Sequence, residues 1–334
     1  MVRKRDDGRW EGRIVIGHKE NGAPIFHYLS ARTQKELLEQ VADLHGVPAG
    51  AYNIRANGVA AARNTTANID IVTKEDKQGI DIIIKPGTKK ESVHIPVILS
   101  QSGLKEVVYN DFYIGEDSDV TIGAGCGIHN GGSSLTKHDG IHTFYVGKNA
   151  KVRYVEKHYG NGEGTGEKVM NPETVIHMDE NSYFYMDTVQ IKGVDSTDRV
   201  TKADLKAGAK LEVSEKLMTH GVQTAKTAFD VELNGEGSSA NVISRSVARD
   251  HSFQDFKAKI SGNTACAGHS ECDAIIMDDA RVSATPELEA NNIDAELIHE
   301  AAIGKIAGDQ LIKLMTLGLT EAEAEEMIIS GFLK

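Results

Sequence analysis

A turn followed by a short apolar strand recurs along the middle of the chain and restricts the fold more than any other feature. Five copies begin at Gly115, Gly147, Asp179, Lys206 and Gly235, at offsets of 32, 32, 27 and 29 residues. After the turn and a small residue come alternating apolar positions: Val120/Ile122, Val152/Tyr154, Phe184/Met186, Leu211/Val213 and Ala240/Val242. A sixth copy begins at Met277. This repeat predicts a solenoid, in which each coil buries its apolar face against the next.

The alternation within each copy predicts strands, so the expected fold is mainly β. A parallel β-helix accounts for turns that recur in register. A β-sandwich is the alternative, but its turns need not recur in this way. Few segments before residue 290 keep a helical period, and with 334 residues, 40% of them hydrophobic, the chain can form a large core.

The C-terminal end changes to a helical pattern. One helix is predicted by an apolar face that ends at Gly318, formed by Leu311, Ile312, Leu314 and Met315. A second helix is predicted after Thr320, which forms a capping box with Glu323. The two helices either cap the open end of the solenoid or dock a partner protein.

The N-terminal end has a different character, because residues 1–35 hold eight Lys/Arg and four Asp/Glu in a chain of net charge −12. Two strand-like runs flank Asn21-Gly22, a hairpin signal, and Thr33 begins a predicted helix. Residues 3–40 resemble the arm-binding N-terminal domain of phage-type tyrosine recombinases, which grips DNA. The alternative is a basic extension with no DNA role, and the acidic remainder argues against nucleic acid as its partner.

Several classes of function are excluded by missing patterns. The chain has no G-x-x-x-x-G-K-[ST], G-x-S-x-G or H-E-x-x-H, so we predict that it is not an enzyme of those classes and takes energy from a partner. No apolar run approaches 18 residues, and the first residues lack a secretory pattern. Three cysteines are too few for a disulfide framework, so we expect a cytoplasmic protein with free thiols.

Four segments carry a resemblance to a known family: "GAYNIRANG" from Gly50, "VYNDFYIGEDSDVTIGAGCGIHN" from Val108, "HSECDAI" from His269 and the long C-terminal segment from Leu297. They resemble the SufB/SufD family of iron–sulfur cluster assembly proteins, in a compact SufB-like form. The resemblance spans residues 45–334. It implies a right-handed parallel β-helix with a C-terminal α-helical region, after a small N-terminal β-plus-helix extension.

The resemblance also implies a function and partners. The family's role is a scaffold that receives sulfur and iron, builds a transient cluster and passes it on. The implied partners are a SufC-like ABC ATPase on the C-terminal helices, a cysteine desulfurase or other sulfur donor, and a second copy of the chain in a homodimer. We predict three parts: a basic extension (1–48), a β-helix core (49–290), and a last strand with the helical ATPase-docking region (291–334).

Iron and clusters are bound by thiolates first, then by imidazole or carboxylate groups. The chain has only Cys126, Cys266 and Cys272, so other ligands or a second subunit must contribute. Cys272 is best supported, because "CDAII" resembles a Cys-Asp-Ser stretch of longer SufB proteins. Their second cysteine aligns with Ala280 here. Cys126 and Cys266 are either further ligands or small buried hydrophobic residues.

His299 and Glu300 match the "HEA" segment of SufB, which the resemblance places at the subunit interface. They are predicted either to hold iron or to seal that interface by a polar contact. Neighbouring strand residues face opposite ways, so one regular strand does not aim both into one site. The glycine-rich segment with Cys126, His129, His138 and His142 is interpreted as a solvent-facing connection rather than a metal site.

Two functions from different classes therefore remain open. The first is a homodimeric scaffold that builds iron–sulfur clusters, which the retained Cys272 favours. The second is a SufD-like structural partner that docks the ATPase and carries no cluster, which Ala280 favours. A DNA-linked adaptor acting through residues 3–40 is a third hypothesis.

Overall fold

The computed structural model describes residues 49–334 in full and, before them, the backbone of three strands. These strands form an antiparallel sheet: Val2–Lys4 (β1), Trp10–His18 (β2) and Pro24–Ala31 (β3). The pairing of β2 with β3 confirms the two predicted N-terminal strands. The turn at Asn21-Gly22 and the helix predicted from Thr33 lie outside the described residues, and the recombinase-like role stays a prediction.

The described core consists of two long sheets. The first contains Ala51–Ala56 (β4), Val59–Asn64 (β5), Lys89–Leu99 (β8), Asp119–His129 (β10), Lys151–Asn161 (β12), Tyr183–Lys192 (β15), Lys210–Thr219 (β17), Ser239–Ala248 (β19), Cys266–Ile276 (β21) and Ala295–Gly304 (β23). The second contains Ile69–Thr73 (β6), Gly79–Ile84 (β7), Lys105–Ile114 (β9), Thr136–Val146 (β11), Lys168–Met170 (β13), Glu173–Met178 (β14), Ser196–Leu205 (β16), Thr224–Leu233 (β18), Phe253–Gly262 (β20) and Arg281–Ala290 (β22). From β8 onward the chain alternates between the sheets, apart from β13 and β14, which are successive strands of the second sheet. Every pairing in this part is parallel, which makes a β-solenoid of about eight turns. The mainly β fold and the parallel β-helix are confirmed.

The repeat read from the sequence is the register of the first sheet. Val120 lies opposite Val152, which lies opposite Phe184, and the row continues through Leu211 to Ala240. The sixth copy was placed wrongly, because β21 follows β19 in this sheet and the segment from Met277 leads into β22 of the other sheet. Each coil has two corners with similar turns, and Met277 belongs to the second corner.

Left-handed residues stack at the first corner and explain its Gly, Asn and Asp content. Their φ angles lie between 56° and 73°, at Gly87, Asp117, Asn149, Asn181, Gly208 and Gly237. A small or hydroxyl-bearing buried residue follows each one: Thr88, Ser118, Ala150, Ser182, Ala209 and Ser238. The left-handed region is costly for most side chains, so these six corners use a residue that accepts it, followed by a small buried one.

We expect Asn181→Val to lower the free energy of unfolding by about 1–2 kcal/mol, because a β-branched side chain resists the left-handed conformation. Asn181→Gly is the matched control and should stay close to wild type, since glycine accepts this φ and keeps the backbone hydrogen bond from Asn181 N to Ala207 O, 2.9 Å long. Urea denaturation measures both. Equal stability of the valine variant and the glycine variant would contradict the role assigned to the corner.

Two helices follow the solenoid, Gly308–Met315 (α1) and Glu321–Phe332 (α2). Both were predicted, and the capping box of Thr320 with Glu323 is present. Ile329 and Leu333 pack against Val247 and Ile275, near the ends of β19 and β21. Within the described residues no helix is long and apolar enough to span a membrane.

The helices do not cap the end of the solenoid, contrary to one of the two interpretations. Strands β22 and β23 end the two sheets, and no described strand pairs with their outer edges. We call this the open end. Its side chains are largely exposed, and Ile298 on β23 has 57% of its surface free. The helices lie beside it because their apolar contacts are with the ends of β19 and β21 instead.

Candidate functional site

Cys272 lies in the interior of the solenoid, one coil from the open end. Strand β21 runs without a turn at Gly268, so its side chains alternate regularly. Cys266 and Cys272 point inward, and His269 lies on the other face, as strand parity predicted. The side chain of Cys272 is 1% exposed and belongs to the main core.

A row of polar side chains leads through the interior to Cys272. The row follows the register of the first sheet, through Glu156, Thr188, Glu215, Ser244 and Cys272. All are buried. Ser244 donates to Glu215 Oε2 at 2.7 Å, and Thr227 donates to Glu215 Oε1 at 3.0 Å. Cys272 therefore lies at the end of a row of polar side chains inside the core.

A buried ion cluster that was not predicted from the sequence lies along this row. Arg199 donates to Glu156 and lies 3.3 Å from His158 Nδ1 and 4.0 Å from Glu215 Oε1. Burial alone would raise the pKa of Glu156, but the Arg199 guanidinium and His158 hold it well below its usual value. Burial raises the pKa of Glu215 despite Arg199. The only signal in the sequence was charge at inward-facing strand positions.

The surroundings of Cys272 keep its sulfur protonated. Burial, followed by the negative charges of Glu215 and Asp273, raises the pKa of the Cys272 thiol to about 12. A thiol must lose its proton to bind a metal. Binding of iron at Cys272 must therefore displace a proton, and the thiol is protected from chance oxidation while the interior stays closed.

His299 shares the interior with Cys272, whereas Glu300 does not. His299 lies opposite Ser270, which is two residues before Cys272 on the same face. The Nδ1 atom of His299 and the hydroxyl of Ser270 are buried, and neither has a hydrogen-bond partner among the residues that the structure describes. Buried polar atoms are normally paired, so these orphaned atoms suit a ligand. Glu300 projects outward, opposite Glu271.

The three cysteines are not brought together within one copy. Cys266 is six residues before Cys272 on the same strand, a separation of about 20 Å. Cys126 lies on β10, several coils away, in a separate apolar cluster. All three are free thiols and buried. Their placement matches the alternative interpretation of Cys126 and Cys266 as small buried hydrophobic residues.

The glycine-rich segment around Cys126 is not a solvent-facing connection, which corrects that interpretation. Most of it forms β10 and β11, and His138 and His142 are buried. The ring of His142 contacts the Tyr154 hydroxyl at 2.8 Å, and burial lowers its pKa to about 4. Glycine is needed because a Cβ at Gly123 would lie 2.8 Å from His94 Nδ1. His129 alone of the segment's histidines is exposed.

Ala280 lies in the turn between β21 and β22 and is buried. It supplies no ligand atom at the position where the resemblance implies a second cysteine. Among the described residues, one set of three potential ligands has its atoms within 4.8 Å of one another: His269, Glu271 and Glu300. This set is on the outer face, and of the three only Glu300 was predicted from the sequence as a ligand.

Comparison with known proteins supports the resemblance. The profile of the SufBD core domain of SUF-system FeS cluster assembly matches residues 104–332. An iron–sulfur cluster assembly SufBD family protein of Methanocaldococcus jannaschii is 29% identical over 255 residues, covering 75% of this chain and 79% of that protein.

Two further relatives carry the same family name. One from Archaeoglobus fulgidus is 30% identical over 264 residues, covering 78% of this chain and 69% of the relative. One from Methanothermobacter thermautotrophicus is 29% identical over 271 residues, covering 76% of this chain and 62% of the relative. Together with the parallel β-solenoid and the domain match over most of the chain, these similarities show that the chain belongs to the SufBD family of iron–sulfur cluster assembly proteins.

Proposed function

We propose that two copies of the chain form a scaffold on which an iron–sulfur cluster is assembled between their open ends. The cluster is cargo, received as iron and sulfur and then passed on. The observation that carries this proposal is that Cys272 shares the inner face with Ser270 and with His299 of the neighbouring end strand β23. A polar atom of each of these two residues is buried without a hydrogen-bond partner among the described residues. The chain itself acts as a scaffold and not as an enzyme.

A second copy supplies what one copy lacks. A cluster held only by protein takes about four ligand atoms, and four cysteines are the common set. One copy offers Cys272 and His299 on its inner face, so two copies offer two thiolates and two imidazoles. Mixed sets of this composition hold clusters in other proteins. Cys126 and Cys266 remain packing residues in this scheme, and Glu300 lies on the opposite face.

The open end suits pairing between copies. No strand in the described part of the chain pairs with the outer edges of β22 and β23, and such edges are templates for further strands. Apolar side chains are exposed along it, including Ile298 and Ile293, the latter with 97% of its surface free. Contact between two copies would cover these side chains and shield the half-buried His299 from water.

The C-terminal helices suit docking of the partner ATPase. Apolar side chains project from them or from the turn that joins them, at Ile312, Met315, Leu317 and Met327. Helix α2 packs on Ile275, three residues after Cys272 on β21. A movement of the docked ATPase would therefore act on the strand that carries Cys272, and could open the interior for iron and sulfur to enter. A cysteine desulfurase or similar donor would supply the sulfur in a reducing cytoplasm, where all three thiols stay free.

The second candidate is a SufD-like partner that docks the ATPase without holding a cluster. Ala280 favours this function, because the buried residue at the position of the family's second cysteine is an alanine here. Anaerobic reconstitution of the wild-type chain with Fe²⁺ and sulfide separates the two functions. We expect visible charge-transfer absorption, about one cluster per two chains, and a dimer by size-exclusion chromatography. A colourless protein after reconstitution would support the SufD-like function and contradict the scaffold.

A further inference from the structure

Three potential metal ligands converge on the outer face of the last two strands of the first sheet. His269 and Glu271 are two residues apart on β21, and Glu300 lies opposite Glu271 on β23. One ligand atom from each lies within 4.8 Å of the other two. No other such set occurs among the residues that the structure describes.

The imidazole of His269 is already oriented for a ligand. Its Nδ1 lies 2.8 Å from Asn241 Oδ1, an oxygen that only accepts hydrogen bonds. The proton of a neutral ring therefore sits on Nδ1, and the lone pair sits on Nε2. Nε2 points to the carboxylates and lies 3.5 Å from Glu300 Oε2. Metal-binding histidines are commonly fixed by such a hydrogen bond from the other ring nitrogen.

The charges around the set favour a cation. Glu271 and Glu300 are register partners on neighbouring strands, and like charges in such positions destabilise a sheet. Arg245 offsets this only in part, with Nη2 at 3.6 Å from Glu271 Oε1. Glu271 is mostly covered and Glu300 is mostly exposed, so an ion can reach the set from solvent.

We infer that His269, Glu271 and Glu300 bind one divalent transition-metal ion per chain. One imidazole nitrogen and two carboxylate oxygens suit Fe²⁺, Mn²⁺ or Zn²⁺, whereas Ca²⁺ and Mg²⁺ prefer oxygen ligands alone. Water completes the coordination. The site is on the opposite face of β21 from Cys272, and the inference does not rest on cluster assembly.

Titration with Mn²⁺, followed by the electron paramagnetic resonance signal of the free ion, tests the inference. The full chain carrying Cys272→Ala is used, so that the interior thiol cannot contribute. We expect one bound ion per chain. His269→Ala and Glu300→Gln should each weaken Mn²⁺ binding by at least about tenfold. Even substitution of a residue that only hydrogen-bonds to a ligand commonly lowers metal affinity that much.

Two further variants serve as matched controls. Glu296→Gln removes the same charge from the same face of β23 and should leave the affinity unchanged. Arg245→Gln removes the cation that competes for Glu271 and should tighten binding, a gain that a misfolded protein cannot show. The inference is overturned if His269→Ala and Glu300→Gln bind as wild type does, if Glu296→Gln loses as much as Glu300→Gln, or if Arg245→Gln binds no tighter.

Discussion

Replacing Arg199 by leucine is expected to lower the free energy of unfolding by about 3–5 kcal/mol. The guanidinium is buried between Glu156 and Glu215 and is the main positive charge that compensates them. Leucine fills the space but leaves Glu156 as an uncompensated charge inside the core. Breaking a buried ion pair from one side is far more costly than replacing both partners.

Two controls separate this charge effect from loss of packing. Lys226→Leu makes the same kind of change at an exposed position of β18 and should stay within about 0.5 kcal/mol of wild type. The double variant Arg199→Leu/Glu156→Leu should recover most of the loss, because no unpaired Glu156 remains. Urea denaturation at neutral pH measures all three. An Arg199→Leu protein at least as stable as Lys226→Leu would contradict the role of the cluster.

The contribution of Glu156 has a defined pH dependence. Its pKa is lower in the folded protein than the ordinary value of 4.5, so the folded state holds its charged form. The resulting stabilisation is present above that ordinary value and is lost as the pH falls towards the folded pKa. The difference in stability between wild type and Arg199→Leu should therefore shrink in acid.

The solenoid could be predicted because the first corner restricts the sequence in six successive coils. A left-handed residue followed by a small buried one produces a repeat that can be recognised in a single sequence. The apolar pairs after it predicted the register from Val120 to Val242. The placement of the sixth copy at Met277 was wrong for a related reason. Both corners of a coil use similar turn chemistry, and local sequence does not tell which corner a turn occupies.

The interior charges could not be predicted, because strand parity alone does not show which face is buried. In β12, Val152 and Tyr154 mark the inner face clearly, but Glu156 and His158 continue it with polar residues. The outer face of the same strand includes Val155. Burial of Glu156 is tolerated because Arg199, which another strand brings in, pairs with it together with His158.

The candidate ligands could be predicted only in part, because strand parity gives the face on which a residue lies but not its neighbours on other strands. Strand parity correctly placed His299 and Glu300 on opposite faces of β23, and His269 and Cys272 on opposite faces of β21. The outer set of His269, Glu271 and Glu300 depends on the register between β21 and β23, which the sequence does not show. The glycines around Cys126 are typical of a loop, but here they lie mostly in strands and permit close contact between packed strands.

Replacing Cys272 by alanine is expected to abolish cluster loading. Cys272 lies two residues from Ser270, the register partner of His299, whereas Cys266 lies four residues from it on the same face. Loss of Cys272 therefore removes both proposed thiolate ligands from the pair of copies. Fold and stability should change little, since alanine keeps the small apolar volume. Because the thiol pKa is raised to about 12, loading of the wild type must release a proton and should improve as the pH rises.

Cys126→Ala provides a closely matched control, because Cys126 is equally buried on the inner face of the same sheet. The deciding measurement is anaerobic reconstitution of wild type, Cys272→Ala and Cys126→Ala with Fe²⁺ and sulfide, read by visible absorption and by iron and sulfide per chain. We predict a cluster in wild type and Cys126→Ala and background values in Cys272→Ala. A Cys272→Ala protein that holds the same cluster as wild type would contradict assembly at the open end.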